Sequence, residues 1–370
     1  DQDQQSVASG LPALEVRLRR LVLLSEACRL QAALAAGAVS VAGNAGAGPC
    51  EGGAGAEVLC GLAQVYLDWL RGQPLAVRYS LPDWLWAGLC QTHGEEEAER
   101  LAAVLLRPAA IEIRVNLLKG KPAVLQRKLA EEGMTASAVA DAPNALRLAG
   151  RPALARSPRF AEGWFELQDA GSQRIVETCA ARRGERVIDF CAGAGGKTLA
   201  LAARMRNQGQ ILAFDTDAAR LDRLGPRLAR AGVSIVTSLR LDGSEDARLA
   251  RYQRWADLVL VDAPCSGSGT FRRHPDLKWR LRPEDVSRYQ AVQREILQAA
   301  VKLLRPGGRL VYATCSLLGE ENQQQTAWFS QWLAGQGGKA AQLAETSSRY
   351  WLPDGEGGDA FFMSEWRSPR

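Results

Sequence analysis

The strongest constraint on the fold is a repeating order: a short apolar run, a tip of small or acidic residues, then a stretch whose apolar side chains recur at helical spacing. Strands are predicted at residues 187–190, 211–214, 234–239, 258–261 and 309–313, and helices at 198–205, 218–231 and 284–304. Apolar runs without polar alternation suit strands covered on both faces, and strands separated by helices build a parallel, doubly wound sheet. The expected class is therefore α/β. Ligands of such sheets sit beyond the carboxyl ends of the strands, so the strand tips are the first place to look for chemistry.

Upstream, Pro82-Asp83 opens a helix that runs through Leu89, and a second helix is predicted over 95–106. Residues 111–116 alternate apolar and polar in the manner of a strand, and 122–132 revert to helix. This reads as a smaller α/β module. Before it, Leu14, Leu21, Leu24, Cys28 and Leu34 suit one or two helices within 11–36. Residues 42–56 are a Gly- and Ala-rich linker, and 59–70 look helical again. The expected division is a helical segment at 1–81, the small module at 82–165 and the main sheet domain at 166–370.

Composition removes several functions. Only His93 and His274 are available as histidines, and the eight cysteines lack the close pairing of a zinc site or a secreted disulfide framework. No metal is expected, and reduced thiols fit a cytoplasmic protein. No charged leader with an apolar core opens the chain, and the uncharged run at 31–50 is rich in Ala and Gly rather than Leu, Ile and Phe, so neither secretion nor a membrane span is expected. The net charge of +5 permits a polyanionic partner without demanding one.

Three strand tips carry reactive residues. The first is Asp189-Phe190-Cys191-Ala192-Gly193-Ala194-Gly195-Gly196-Lys197-Thr198, a strand entering a glycine-rich loop and a helix. Such a loop lets the backbone approach a ligand and offers free helix-start amides. A nucleoside triphosphate loop would need glycine where Cys191 stands, and a dinucleotide loop would need glycine where Thr198 stands. Asp215 ends the next strand, where a carboxylate can accept ribose hydroxyls, although a helix cap explains a lone Asp equally well. The second tip is Asp262-Ala263-Pro264-Cys265-Ser266-Gly267, and the third is Thr314-Cys315-Ser316. A single Cys is more often an inert buried thiol. Two at one edge of one sheet are different: their strands should be neighbours, with the glycine-loop strand beside the first, so both thiols should face one crevice.

Together with Leu167-Gln168-Asp169-Ala170-Gly171-Ser172-Gln173, Arg272-Arg273-His274-Pro275-Asp276-Leu277-Lys278-Trp279, Glu320-Glu321-Asn322 and Gly358-Asp359-Ala360-Phe361-Phe362, these tips occur in an order that resembles the RNA cytosine carbon-5 methyltransferase family, especially its bacterial ribosomal RNA branch. The resemblance covers residues 168–362 and, more loosely, the chain from Pro82 onward. It implies a Rossmann-like methyltransferase sheet, a small RNA-binding module before it, and S-adenosylmethionine as methyl donor. By the same resemblance Cys315 is the nucleophile, Cys265 assists product release, and Asp262 holds the polar edge of the cytosine. The cofactor is expected on Cys191, Ala192, Gly193, Ala194, Gly195, Gly196 and Lys197, with Asp215 on its ribose, Asp242 near its adenine and Asp262 close to its methionine end. The family usually has Ala and Pro where Gly193 and Ala194 stand, which points to a less rigid loop here.

The chemistry explains why two thiols are wanted. Carbon 5 of cytosine attacks a methyl sulfonium only after a thiolate adds at carbon 6, and a free thiol needs cationic neighbours or helix starts to ionise. DNA cytosine methyltransferases use the Pro-Cys thiol instead, and the Thr314-Cys315-Ser316 match decides for Cys315. Arg272, Arg273, Lys278 and Arg280, with Trp279 as a stacking face, are the expected RNA contacts, and the target base must be unpaired or flipped. The alternatives are a DNA cytosine methyltransferase and a noncatalytic RNA-binding ribosome-assembly factor. The expected partner is RNA, ribosomal RNA foremost, bound by a monomer.

Overall fold

A computed structural model describes residues 67–336, 342–353 and 357–368. The helices expected within 11–36, the linker at 42–56 and most of the helix expected at 59–70 lie outside the described residues. Contacts divide the chain into two units, one comprising residues 1–86 with 106–108 and the other 87–105 with 109–370. In the first, the described residues include a single-turn helix, Leu75–Arg78, and the stacked rings of Tyr79 and Trp86, 6.5 Å apart.

The second unit holds two sheets. The smaller is antiparallel and is built from β1 (Ile111–Val115), β2 (Ala136–Val139), β3 (Ala142–Leu148) and β4 (Phe165–Leu167) in the order β2-β3-β1-β4. Two helices precede it, α1 (Asp83–His93) and α2 (Glu95–Leu105). Between β1 and β2 lies α3 (Pro122–Glu131), started by a proline whose missing N–H costs nothing in the first turn. Leu125 and Leu129 of α3 bury against Ile113, Val115, Leu146, Leu148 and Phe165, so one face of the small sheet is its core. The predicted strand at 111–116 and helix at 122–132 are both present. β2 and β3 are rich in Ala, and β3 holds Pro143 and Asn144, so they carry little strand propensity and no alternating apolar pattern marks them.

The larger sheet has seven strands. They are β5 (Arg186–Asp189), β6 (Gln210–Asp215), β7 (Val236–Arg240), β8 (Ala256–Asp262), β9 (Leu304–Thr314), β10 (Ala344–Trp351) and β11 (Phe361–Arg367), ordered β10-β11-β9-β8-β5-β6-β7. β9, β8, β5, β6 and β7 run parallel, while β10 and β11 are antiparallel additions at one edge. Alternate residues of β8 enter different cores: Val259 and Val261 join Ile188, Leu310 and Tyr312, whereas Leu258 and Leu260 join Val187, Val311 and Ala313. α7 (Pro283–Lys302) contributes Ile296, Leu297 and Ala300 to the first core. α4 (Ala170–Cys179) and α5 (Gly196–Arg204) contribute Ile175, Val176, Leu199 and Leu201 to the second. Both faces are thus covered, as the apolar runs required.

The helix expected over 218–231 is interrupted. A short turn of helix, Ala218–Asp222, is followed by α6 (Leu224–Ala231), because Pro226 has no N–H to donate to Asp222. α8 (Gln323–Gln336) follows the tip of β9. No helix among the described residues is long and apolar enough to cross a membrane.

Candidate active site

The order β9-β8-β5-β6 brings the three reactive tips to one edge of the sheet, where a cleft of ≈ 490 Å³ opens. Its lining includes Cys191, Lys197, Asp215, Asp262, Cys265 and Cys315. Sequence reasoning did not single out Thr216, Leu241, Val292 and Ile296, which also line it. Val292 and Ile296 lie one turn apart on α7, a spacing any amphipathic helix shows, so nothing local marked them.

The two sulfurs of Cys265 and Cys315 are 3.5 Å apart, and both thiols are free. Their loops are tied from behind by buried polar groups. The Ser266 amide donates to Glu321 Oε1 at 2.9 Å, and Gln293 Nε2 bridges Glu321 and the Pro264 carbonyl. The hydroxyls of Ser266, Ser268 and Ser316 lie within 3.1–3.2 Å of one another, and the Gly269 amide donates to the Cys315 carbonyl at 2.9 Å. Beyond Cys315, the Gly319 amide donates to Thr92 Oγ1 and His93 Nε2 meets the Leu317 carbonyl at 2.8 Å, so the end of α1 braces the same loop.

Lys197, in the first turn of α5, donates from Nζ to Asp262 Oδ2 at 2.7 Å, joining the first tip to the second. Burial pulls this ammonium down, but Asp262, through both charge and hydrogen bond, outweighs burial, and Cys315 adds to the same upward direction. The Cys265 thiol is held well up, first by its hydrogen bond to Cys315 and then by burial, with Glu321 adding to the effect. Cys191 is also pushed well up, by burial and then by Asp189, Asp215 and Asp262. A thiol in that position is a poor candidate for the attacking thiolate.

Asp215 holds the glycine loop as well as lining the cleft: Gly193 N donates to its Oδ2 at 2.7 Å, and Asp217 N donates to Oδ1 at 2.8 Å. Gly193 and Gly195 have φ of +56° and +86°. A Cβ on Gly195 would lie 2.1 Å from Leu224 Cδ1, so this position is closed to other residues. Asp242 was expected near an adenine. Leu241, Gly243 and Ser244 line the cleft at that point, while the Asp242 side chain is 77% exposed and lies 3.7 Å from Arg248.

The cationic stretch after Cys265 is divided by burial. Arg272 is buried and donates to the Gly358 carbonyl at 2.7 Å, and Lys278 is buried too. Arg273 bridges Asp169 and Asp359. Asp169 in turn caps α4 and accepts from the Asp359 amide at 2.9 Å. These charges clasp three sequence segments together, and a guanidinium so occupied has few donors left for phosphate. Trp279, 59% exposed, and Arg280, paired with Asp276 at the surface, do face solvent. No group of side chains suited to a metal ion occurs among the described residues.

Known proteins resemble this chain in sequence and fold. Residues 176–367, more than half of the chain, match the 16S rRNA methyltransferase RsmB/F family, and residues 81–154 match the ferredoxin-like domain of RsmF/B-like methyltransferases. The chain is 37% identical over 258 residues to a probable ribosomal RNA small subunit methyltransferase B of Synechocystis, covering 70% of this chain and 58% of that one. It is 37% identical to ribosomal RNA small subunit methyltransferase B of Klebsiella pneumoniae over 78% of this chain and 66% of that one. It therefore spans roughly three-fifths to two-thirds of these relatives' length. A methyltransferase homologue from Pyrococcus horikoshii superposes with a TM-score of 0.68 at 28% identity, over 79% of this chain and 97% of that one. With a parallel sheet whose tips converge on one cleft and a matching sequence across that whole domain, the chain belongs to the RsmB/F family of 16S rRNA methyltransferases.

Proposed function

We propose that this chain transfers a methyl group from S-adenosylmethionine to carbon 5 of a cytosine in ribosomal RNA, through a transient bond between Cys315 Sγ and carbon 6 of that cytosine. The observation that carries this reading is the 3.5 Å approach of Cys265 and Cys315 at a cleft that also contains the Lys197–Asp262 pair. A structural pair of thiols would have no need of an ion pair and an open cleft beside it.

The residues lining the cleft fit the proposed donor. Asp215 and Thr216 offer polar partners for ribose hydroxyls, Phe190, Leu241 and Ile296 an apolar wall for an adenine, and Asp262 a carboxylate suited to a positively charged sulfonium. When bound, the cofactor supplies an electrophilic methyl. The protein's part is to prepare the base. Lys197 provides positive charge in the cleft that Cys315 lines. As the thiolate adds to carbon 6, density moves to carbon 5, and Asp262 is the group proposed to hold the polar edge of the ring. After methylation, a water in the cleft accepts the carbon 5 proton, the electron pair of the C5–H bond restores the C5–C6 double bond, and the bond to Cys315 breaks with the sulfur departing as thiolate. Cys265 is the group proposed to orient that water.

The four-stranded module and α1–α2 are proposed to serve RNA binding, and the chain to act as a monomer in a reducing cytoplasm. Incubating the chain with radiolabelled S-adenosylmethionine and separate pools of ribosomal RNA, transfer RNA and DNA tests the reading. Label in ribosomal RNA, mapped to 5-methylcytosine by bisulfite sequencing, supports it. Label in DNA alone assigns a different substrate, and no transfer to any pool leaves an assembly factor.

A further inference from the structure

The glycine loop is gripped from outside the cleft by a charged cluster that the proposed reaction does not use. Arg227 of α6 donates from Nη1 to the Ala194 carbonyl, and Arg114 of β1 donates from Nη1 to the Gly196 carbonyl at 2.6 Å. The opposite side of Arg227 rests on Glu166 of β4, with Nη2 at 2.9 Å from Oε2, and Arg230 occupies the other oxygen of the same carboxylate. Arg114 also donates to Gln168 Oε1, whose amide nitrogen donates to Ser172, a residue lining the cleft.

The Glu166 carboxylate accepts from two guanidiniums, Arg227 and Arg230, and Arg114 lies opposite it on the neighbouring strand. The donors left over from Glu166 end on the carbonyl oxygens of the loop, and that arrangement is costly to build, because Arg114 and Glu166 are almost wholly buried. Burial pulls the Arg114 guanidinium to about 10, so it stays charged at neutral pH. With Gly193 N on Asp215, three anchors from three elements hold three loop residues: an amide at 193 and carbonyls at 194 and 196. A loop with two left-handed glycines otherwise has many conformations to lose when a ligand binds.

We propose that Arg227, held by Glu166, and Arg114 are positioning residues that preorganise the cofactor loop, so that the small sheet sets the affinity of the large one for S-adenosylmethionine. This rests on the cofactor reading above. Losing one charge-assisted bond to the loop should weaken cofactor binding roughly tenfold. Because the carbonyls touch no reacting atom, KM for the cofactor should rise while kcat holds.

The test is calorimetric titration of S-adenosylhomocysteine into the wild-type chain, Arg227→Gln and Glu166→Gln, with steady-state kinetics and thermal midpoints of the same proteins. Wild-type that takes no S-adenosylhomocysteine defeats the cofactor reading itself. If wild-type binds, a roughly tenfold weaker Kd in both variants, a raised cofactor KM, an unchanged kcat and partial recovery in Arg227→Lys support the clamp. Equal affinity in wild-type and Arg227→Gln overturns it. So does an Arg227→Gln chain that fails to fold, since the cluster would then serve the fold rather than the loop.

Discussion

The sulfurs of Cys265 and Cys315 stand 3.5 Å apart although fifty residues separate them in sequence. Neighbouring parallel strands end at the same level; Cys315 directly follows Thr314 at the end of β9, and Cys265 lies just beyond Asp262 at the end of β8. Cys315→Ala should abolish both methyl transfer and the covalent adduct with RNA. Cys265→Ala should instead accumulate the adduct, seen as a slowly migrating band on denaturing gels. An adduct trapped by Cys315→Ala would reverse the two roles.

Lys197→Met leaves Asp262 without its cation and removes a positive charge from the cleft that Cys315 also lines. Methyl transfer should drop at least about 100-fold. Alkylation of Cys315 by iodoacetamide at neutral pH should slow in parallel. Unchanged alkylation would show that Lys197 does not activate the thiol.

Asp189, at the tip of β5, is fully buried and accepts from Thr198 Oγ1 at 2.7 Å. Burial pushes its carboxyl up to about 7, against the bond from Thr198. Between the ordinary carboxylate range and pH 7 the folded chain therefore binds more protons at this site than the unfolded chain, and stability falls as pH rises through that window. The loss is on the order of 4 kcal/mol by pH 8. Asp189→Asn keeps an acceptor for Thr198 and should remove that share of the slope in urea unfolding measured at pH 5 and pH 8. Parallel pH curves for the two proteins would refute the assignment.

Gly195→Ala puts a Cβ at φ +86° and 2.1 Å from Leu224 Cδ1. The left-handed conformation and the clash together should cost at least about 2 kcal/mol. That predicts a thermal midpoint lower by roughly 4–8 °C. Gly225→Ala, where a Cβ meets nothing within 4 Å, is the control and should change the midpoint far less.

Trp279 and Arg272 should separate RNA contact from folding. Trp279→Ala should weaken RNA binding roughly tenfold, the value of one lost stacking partner, at constant thermal midpoint. Arg272→Ala removes a buried donor to the Gly358 carbonyl and should lower the midpoint. Equal effects of both on RNA affinity alone would restore Arg272 to the binding surface.

Sequence by itself determined the parallel core, because only apolar runs can be strands covered on both faces, and each run ended where the sheet ends. Once β8 and β9 are adjacent, Cys265 and Cys315 must share an edge, so the pair was readable from order alone. The antiparallel β10 and β11 were not, since strands added at an edge carry no signal in the βα repeat. Only the tertiary structure decided what each charge does. Arg272, Arg273, Lys278 and Trp279 are close in sequence, yet burial and partners divide them between clasping the fold and facing solvent. Spacing records which residue types are near one another, whereas the partner of a charge is set by elements that can lie a hundred residues away, as Asp169 does from Arg273.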